Sequence, residues 1–144
     1  MPSASKFLNP PEQEAVIKAI AQAELHTSGE IRLHLDNFCF GNEVKVAQKV
    51  FTRLHMHQTA ERNGVLIYIA TYSRKIAVIG DEGIHAKLGS IYWEELVKTM
   101  ITQLKADKKA EALTWSILEC GKQLGKFFPR KEDDKNELSN SISY

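Results

Sequence analysis

Two uninterrupted apolar runs occupy the middle of the chain. Gly64–Ala70 reads GVLIYIA and Lys75–Gly80 reads KIAVIG, with no polar residue alternating through 65–69 or 76–79. Runs of β-branched and aromatic residues without alternation fit strands covered on both faces. Only Thr71, Tyr72, Ser73 and Arg74 separate them, so the simplest connection is an antiparallel hairpin. Glu30–Asp36 behaves differently: Ile31, Leu33 and Leu35 alternate with Arg32 and His34, the pattern of a strand with one apolar face.

Helical periodicity fills the rest. Asn9, Pro10, Pro11 and Glu12 spell a helix start, with Asn9 as cap, Glu12 completing a capping box, and Phe7 or Leu8 as a staple. Val16, Ile17, Ala19, Ile20 and Ala23 then recur in phase until Thr27, Ser28 and Gly29 end the run. Asn42 caps a predicted helix over 43–54 with Val46, Ala47, Val50, Phe51 and Leu54 as its stripe. A single helical turn is predicted over 84–88. Ser90 is the expected cap of a helix carrying Trp93, Leu96, Val97, Met100, Ile101 and Leu104. Asp107 is the expected cap of another, with Ala110, Leu113, Ile117, Cys120 and Leu124 in phase, closed by Pro129. The charged, Ser/Asn-rich stretch beyond, placed at 129–144, is expected to be a disordered tail. Strand, helix, strand makes the first two strands parallel by a right-handed crossover, and the hairpin adds the third antiparallel. The expected fold is α/β: a three-layer α/β/α sandwich with a small mixed β-sheet.

Composition narrows the function classes. At 144 residues with 43% hydrophobic content, the chain suits one domain with a real core. A net charge of +1 implies neither nucleic acid nor an anionic surface. Two cysteines, Cys39 and Cys120, make neither a disulfide framework nor a zinc site. No stretch approaches the roughly 18 apolar residues that span a bilayer, and the N-terminus lacks the apolar core of a secretory signal. A cytoplasmic protein is expected.

Strand directions generate the candidate site. Parallel strands start on the same edge of a sheet, and the hairpin returns its second strand to that edge. Residues 28–30, 61–64 and 80–83 therefore converge, gathering Glu30, Glu61, Asp81 and Glu82 with the Asn63 amide. Crowded carboxylates need a positive partner. Arg62 can serve, and so can a hard divalent cation; calcium takes six to eight oxygens from flexible loops, which suits acidic residues flanked by glycine. A solvated acidic rim with surface ion pairs is the alternative. No EF-hand loop is present.

Other chemistry-bearing residues have plainer readings. His55 and His57 lack the spacing of a helix-face metal pair and read as surface histidines. His34 reads as a half-buried, hydrogen-bonded histidine rather than an anion site with Arg32. His85 reads as a capping or surface group, with a supporting role beside the acidic loop as the alternative. Cys120 falls in the core phase of its helix, and Cys39 has no histidine nearby to activate it. Trp93 and Trp115 are packing residues, and GxSxG, phosphate-loop and CxxC motifs are absent.

The run RNGVLIYI at 62–69, then Arg74, then IGDEGI at 79–84, resembles the signature of the TPM domain family, named for thylakoid-lumen, photosystem-associated and membrane-receptor-associated members. TSGEIR at 27–32 matches that family's first strand, and the similarity extends over 7–128. The resemblance implies an α/β/α sandwich that binds calcium or related ions in surface loops, with phosphatase activity or assistance to photosystem repair described for some members. It places the ion foremost on Glu30, Asp81 and Glu82, then on Glu61 and Asn63. The chain lacks the family's export signal and C-terminal membrane anchor, so a stand-alone domain is expected. Two functions follow: a non-catalytic, cation-stabilised binding module with an unidentified protein partner left open, or a metal-assisted phosphatase acting on phosphomonoesters. In the second, Asp81 or Glu82 orients water and Arg62 or Arg74 offsets phosphate charge, although the hairpin puts Arg74 at the opposite edge.

Overall fold

The computed structural model describes residues 2–131 and 141–144. Three strands, β1 (Glu30–Asp36), β2 (Gly64–Ala70) and β3 (Lys75–Gly80), form one sheet in that order. β1 pairs parallel to β2 from Glu30 opposite Gly64 to Asp36 opposite Ala70. β2 pairs antiparallel to β3 from Val65 opposite Gly80 to Ala70 opposite Lys75.

Every residue of β2 is buried, which is why its sequence does not alternate. Ile31, Leu33, Leu35, Val65, Ile67, Ile69 and Val78 face a core built with α1 (Ala4–Phe7), α2 (Pro10–Glu24), α4 (Glu82–Leu88), α5 (Ser90–Lys105) and α6 (Lys109–Phe127). Leu66, Tyr68, Ala70 and Ala77 face the other way, onto Ala47, Val50 and Phe51 of α3 (Glu43–Arg53) and onto Met56 in the short 3-10 turn that follows. The molecule is thus the expected α/β/α sandwich, one helix layer being thinner than the other.

Local signals at the helix ends hold at Asn9 and Asn42. Asn9 Oδ1 accepts from Glu12 N while Glu12 Oε1 accepts from Asn9 N, both at 2.9 Å. Asn42 Oδ1 accepts from Val44 N and Lys45 N at 3.0 Å. Ahead of Asn9 the chain makes a helical turn of its own, α1, and both Phe7 and Leu8 enter the core. Two caps differ from expectation. Ser90 lies inside α5, because Gly89, at φ 81°, occupies the cap position. Asp107 does not start α6 but ends α5: it sits left-handed at φ 59°, with Asp107 N–H donating to Leu104 O and Lys108 N–H to Gln103 O, both 3.0 Å. That bond pair is a Schellman close, in which an aspartate tolerates the conformation glycine usually supplies.

The expected disordered tail falls mainly on 132–140, outside the described residues. Pro129 bridges to Thr27, and Ser143 lies parallel to β1, with Leu35 N–H donating to Ser143 O at 2.9 Å and Ser143 N–H to Leu33 O at 3.0 Å.

Helices α2 and α6 approach closely at Gly121, where a Cβ would meet the Ala23 side chain and its main-chain Cα at 3.0 Å. On an open helix, Gly→Ala gains about 1 kcal/mol in propensity, whereas overpacking a tight contact costs about 1–3 kcal/mol. Backbone cannot swing aside, so Gly121→Ala is expected to lower unfolding free energy in urea; a gain in stability would show that the two helices separate freely.

Candidate functional site

The sheet register brings the start of β1, the start of β2 and the end of β3 to one lip. Glu30 lies opposite Gly64, and Asp81 N–H donates to Gly64 O at 2.8 Å. The loop before β2 and the first turn of α4 then meet backbone to backbone. Gly83 N–H donates to Arg62 O at 2.8 Å, and a Cβ on Gly83 would run into the carbonyls of Glu61 and Arg62. Glycine is required there by proximity, and this explains why the two short sequence runs belong together.

Charge at the lip is balanced from within. Arg62 takes a left-handed backbone (φ 51°) and lays its guanidinium over Asp81, Nε to Oδ2 at 2.8 Å and Nη2 to Oδ1 at 3.0 Å. Its Nη1 also reaches Glu82 Oε1 at 3.2 Å. A bidentate fork of this kind is the strongest form of the pair, and Asp81 is buried. Asp81 Oδ1 additionally accepts from Glu82 N at 2.8 Å, capping α4; the helix therefore starts at Glu82, two residues earlier than the sequence pattern predicts. The single charge of Arg62 is shared between two carboxylates.

Asn63, next in the chain to Arg62, is 1% exposed. Its Nδ2 donates to Ser28 Oγ at 3.2 Å, Ser28 donates in turn to Glu61 Oε2, and Lys131 Nζ stands 3.9 Å from Glu61 Oε1. Asn63 Oδ1 is buried and accepts no hydrogen bond from any described residue. An amide oxygen in that state is costly unless something positive approaches it. Next to the lip, a hollow of about 220 Å³ is lined by Arg62, Asp81 and His57. His57 was expected at the surface; the 3-10 turn after α3 carries it inward, a placement that no short-range pattern encodes.

Glu30 takes a different course. It is 2% exposed, and its carboxyl bonds to that of Glu24, whose Oε2 accepts from Ile31 N at 2.9 Å. Glu24 was missed in the sequence, although it continues the Ile20 and Ala23 stripe of α2, where a carboxylate is out of place. Four of the expected ligands, Glu61, Asn63, Asp81 and Glu82, thus stand on the meeting loops, while Glu30 joins α2. Among the described residues, no group of three or more His, Cys, Asp or Glu side chains is arranged to hold a metal ion.

The remaining candidates have structural partners. His34 is buried, with Nδ1 2.8 Å from Ser143 Oγ and Nε2 2.9 Å from Asp36 Oδ1, and burial holds its pKa below the ordinary value. His85 Nδ1 accepts from the Trp93 indole at 3.1 Å. Cys120 is buried, and burial pushes its thiol up to about 12, far from a reactive thiolate.

Burial, reinforced by the neighbouring Glu30 charge, pushes the Glu24 pKa up to about 8. A raised carboxyl pKa means that the folded state holds the proton more tightly than the unfolded chain. The stabilisation is complete below the ordinary carboxylate range and is lost as pH rises toward 8, at up to about 1.4 kcal/mol per pH unit. Glu24→Gln keeps a neutral hydrogen-bonding group, so its stability, followed by urea denaturation from pH 5 to 8.5, should be flatter than that of the parent. An equal slope in both would mean that the pair binds no extra proton.

The comparisons with known proteins agree with this geometry. The family model of the TPM domain matches residues 3–123. An NMR structure of the BA42 protein from the psychrophilic bacterium Bizionia argentinensis superposes with a TM-score of 0.88 at 36% identity, covering 99% of each chain. A comparison with curated proteins gave no match. A match over most of the chain, together with a structural neighbour of the same size, leads to one conclusion: the chain belongs to the TPM domain family.

Proposed function

We propose that this domain is a non-catalytic binding module whose acidic lip takes up a hard divalent cation, calcium by its donor chemistry. The observation that carries the reading is the Asn63 amide oxygen, buried with no hydrogen-bond partner among the described residues, on the loop that also carries Glu61 and Arg62. Glu61, Asp81, Glu82 and Asn63 would hold the ion, whereas Glu30 is committed to Glu24. All four supply oxygen, as calcium prefers. When bound, the ion would add positive charge to a lip where Arg62 serves both Asp81 and Glu82. Arg62 competes for the same oxygens, so uptake requires the guanidinium, 42% exposed, to give up its fork on Asp81.

The second reading is a metal-assisted phosphatase, and the hollow beside Arg62 and His57 is the observation in its favour. Phosphate chemistry wants basic groups free to meet the anion. Arg62 is shared between Asp81 and Glu82, and Arg74 lies in the hairpin turn at the far edge. The binding module is therefore preferred.

Calcium at about one hundred times its Kd is expected to stabilise the metal-free protein by about 2.7 kcal/mol, a rise of several degrees in Tm. Asp81→Asn and Glu82→Gln should each blunt that rise. Arg62→Gln should melt lower without calcium yet gain more from it, because the internal competitor is gone. An Arg62→Gln response smaller than the parent's would remove the lip as the site. Turnover of an aryl phosphate that disappears in both Asp81→Asn and His57→Ala would establish the phosphatase instead.

A further inference from the structure

We propose that the free edge of β3 is a docking site for an extended segment of a partner protein, apolar at its centre and flanked by lysine or arginine. The proposal deepens the binding-module reading by naming a surface and a partner class, and it does not depend on the cation.

β3 is an edge strand, and its outer side forms the floor of a cleft of about 590 Å³ between α3 and α5. The bond from Asp81 N–H to Gly64 O fixes the phase of the antiparallel ladder. Lys75, Ala77 and Ile79 turn their N–H and C=O toward β2, so Ile76, Val78 and Gly80 present theirs to the cleft. No described group bonds to those outward donors and acceptors. A row of open backbone groups at the bottom of an apolar groove is what strand addition uses: the main chain supplies affinity, and the walls select side chains.

The walls say which side chains. A strand laid along β3 would send alternate residues toward Val44 and Ile79 on the α3 side, and toward Val97 and Ile76 on the α5 side. Both directions are apolar, so the middle of the segment is apolar too. Six residues of β3 span roughly 20 Å, enough for a strand of five or six residues. The rim is acidic. Glu43 and Glu94 stand on opposite walls, neither paired to a cation among the described residues, while Lys98 is tied to Glu95 at 3.4 Å and Glu82 to Arg62. Complementarity therefore calls for positive charge at the ends of the segment.

Two other occupants fit worse. The last residues of the chain already lie on the opposite edge of the sheet, along β1. A second copy would have to bring its own α3 and α5 against these walls, since its β3 is recessed in the same way.

The test uses the full chain and three synthetic peptides. One carries five alternating valines and threonines between paired lysines; the second has glutamates in place of the lysines; the third is the lysine peptide N-methylated at alternate amides. The lysine peptide is expected to shift and protect the amides of Ile76, Val78 and Gly80 in NMR titrations. The glutamate and N-methylated peptides should bind at least tenfold more weakly. Glu43→Lys with Glu94→Lys should weaken the lysine peptide by the same factor while leaving the calcium-induced rise in Tm unchanged. The cation reading and this one can thus fail separately. Val78→Pro removes one outward N–H without touching the ladder to β2 and should also lose binding. The proposal is overturned if the glutamate peptide binds equally, if N-methylation has no effect, if the shifts fall away from β3, or if sedimentation shows self-association that the Val78→Pro variant abolishes.

Discussion

β2 is removed from water along its whole length, and the rest of the molecule follows from that. A strand with apolar side chains on both faces needs a layer above and a layer below. The crossover through α3 supplies one, and α2 with α4, α5 and α6 supplies the other. With only three strands, the neighbours of β2 are both edges. One parallel and one antiparallel neighbour fix which loop ends meet. The polar lip is thus a by-product of burying one strand.

At that lip the decisive interaction is the fork between Arg62 and Asp81. It balances a buried carboxylate, joins the loop before β2 to the cap of α4, and leaves Glu82 only a shared charge. An internal guanidinium lets the loops close without an ion, and it sets the threshold an ion must exceed. Glu24 and Glu30 solve a similar problem by another route, through a proton retained between two buried carboxyls. Two acidic places therefore obey different chemistry, one balanced by an internal guanidinium, the other by a retained proton.

Much of this was legible in the residues, for identifiable reasons. The unalternating runs of β2 and β3 and the alternation of β1 encode burial directly, and strand direction then dictates which termini converge. The Asn9 and Asn42 caps are local and were readable as such. Asp107 was misread because an aspartate fits both ends of a helix, and the tight reversal between α5 and α6 decides which end it takes. Ser90 lost its cap to Gly89, whose backbone freedom outweighed a hydroxyl. The carboxyl pair at Glu24 and Glu30 was passed over because Glu24, though in phase with Ile20, is the last residue of α2, where a carboxylate ordinarily reaches solvent. Arg62 was named as a counter-ion, and the structure shows its fork onto Asp81, a geometry that sequence spacing does not encode.

The stretch at 141–144 has a consequence for how copies of this domain meet. A three-stranded sheet with two bare margins is a template for open-ended stacking, each copy extending the last. Here Ser143 makes two backbone bonds along one margin, and the other margin lies in the cleft between α3 and α5. The two margins are therefore unlike each other, and stacking of copies edge to edge would have to join a margin partly covered by 141–144 to one lying in a cleft.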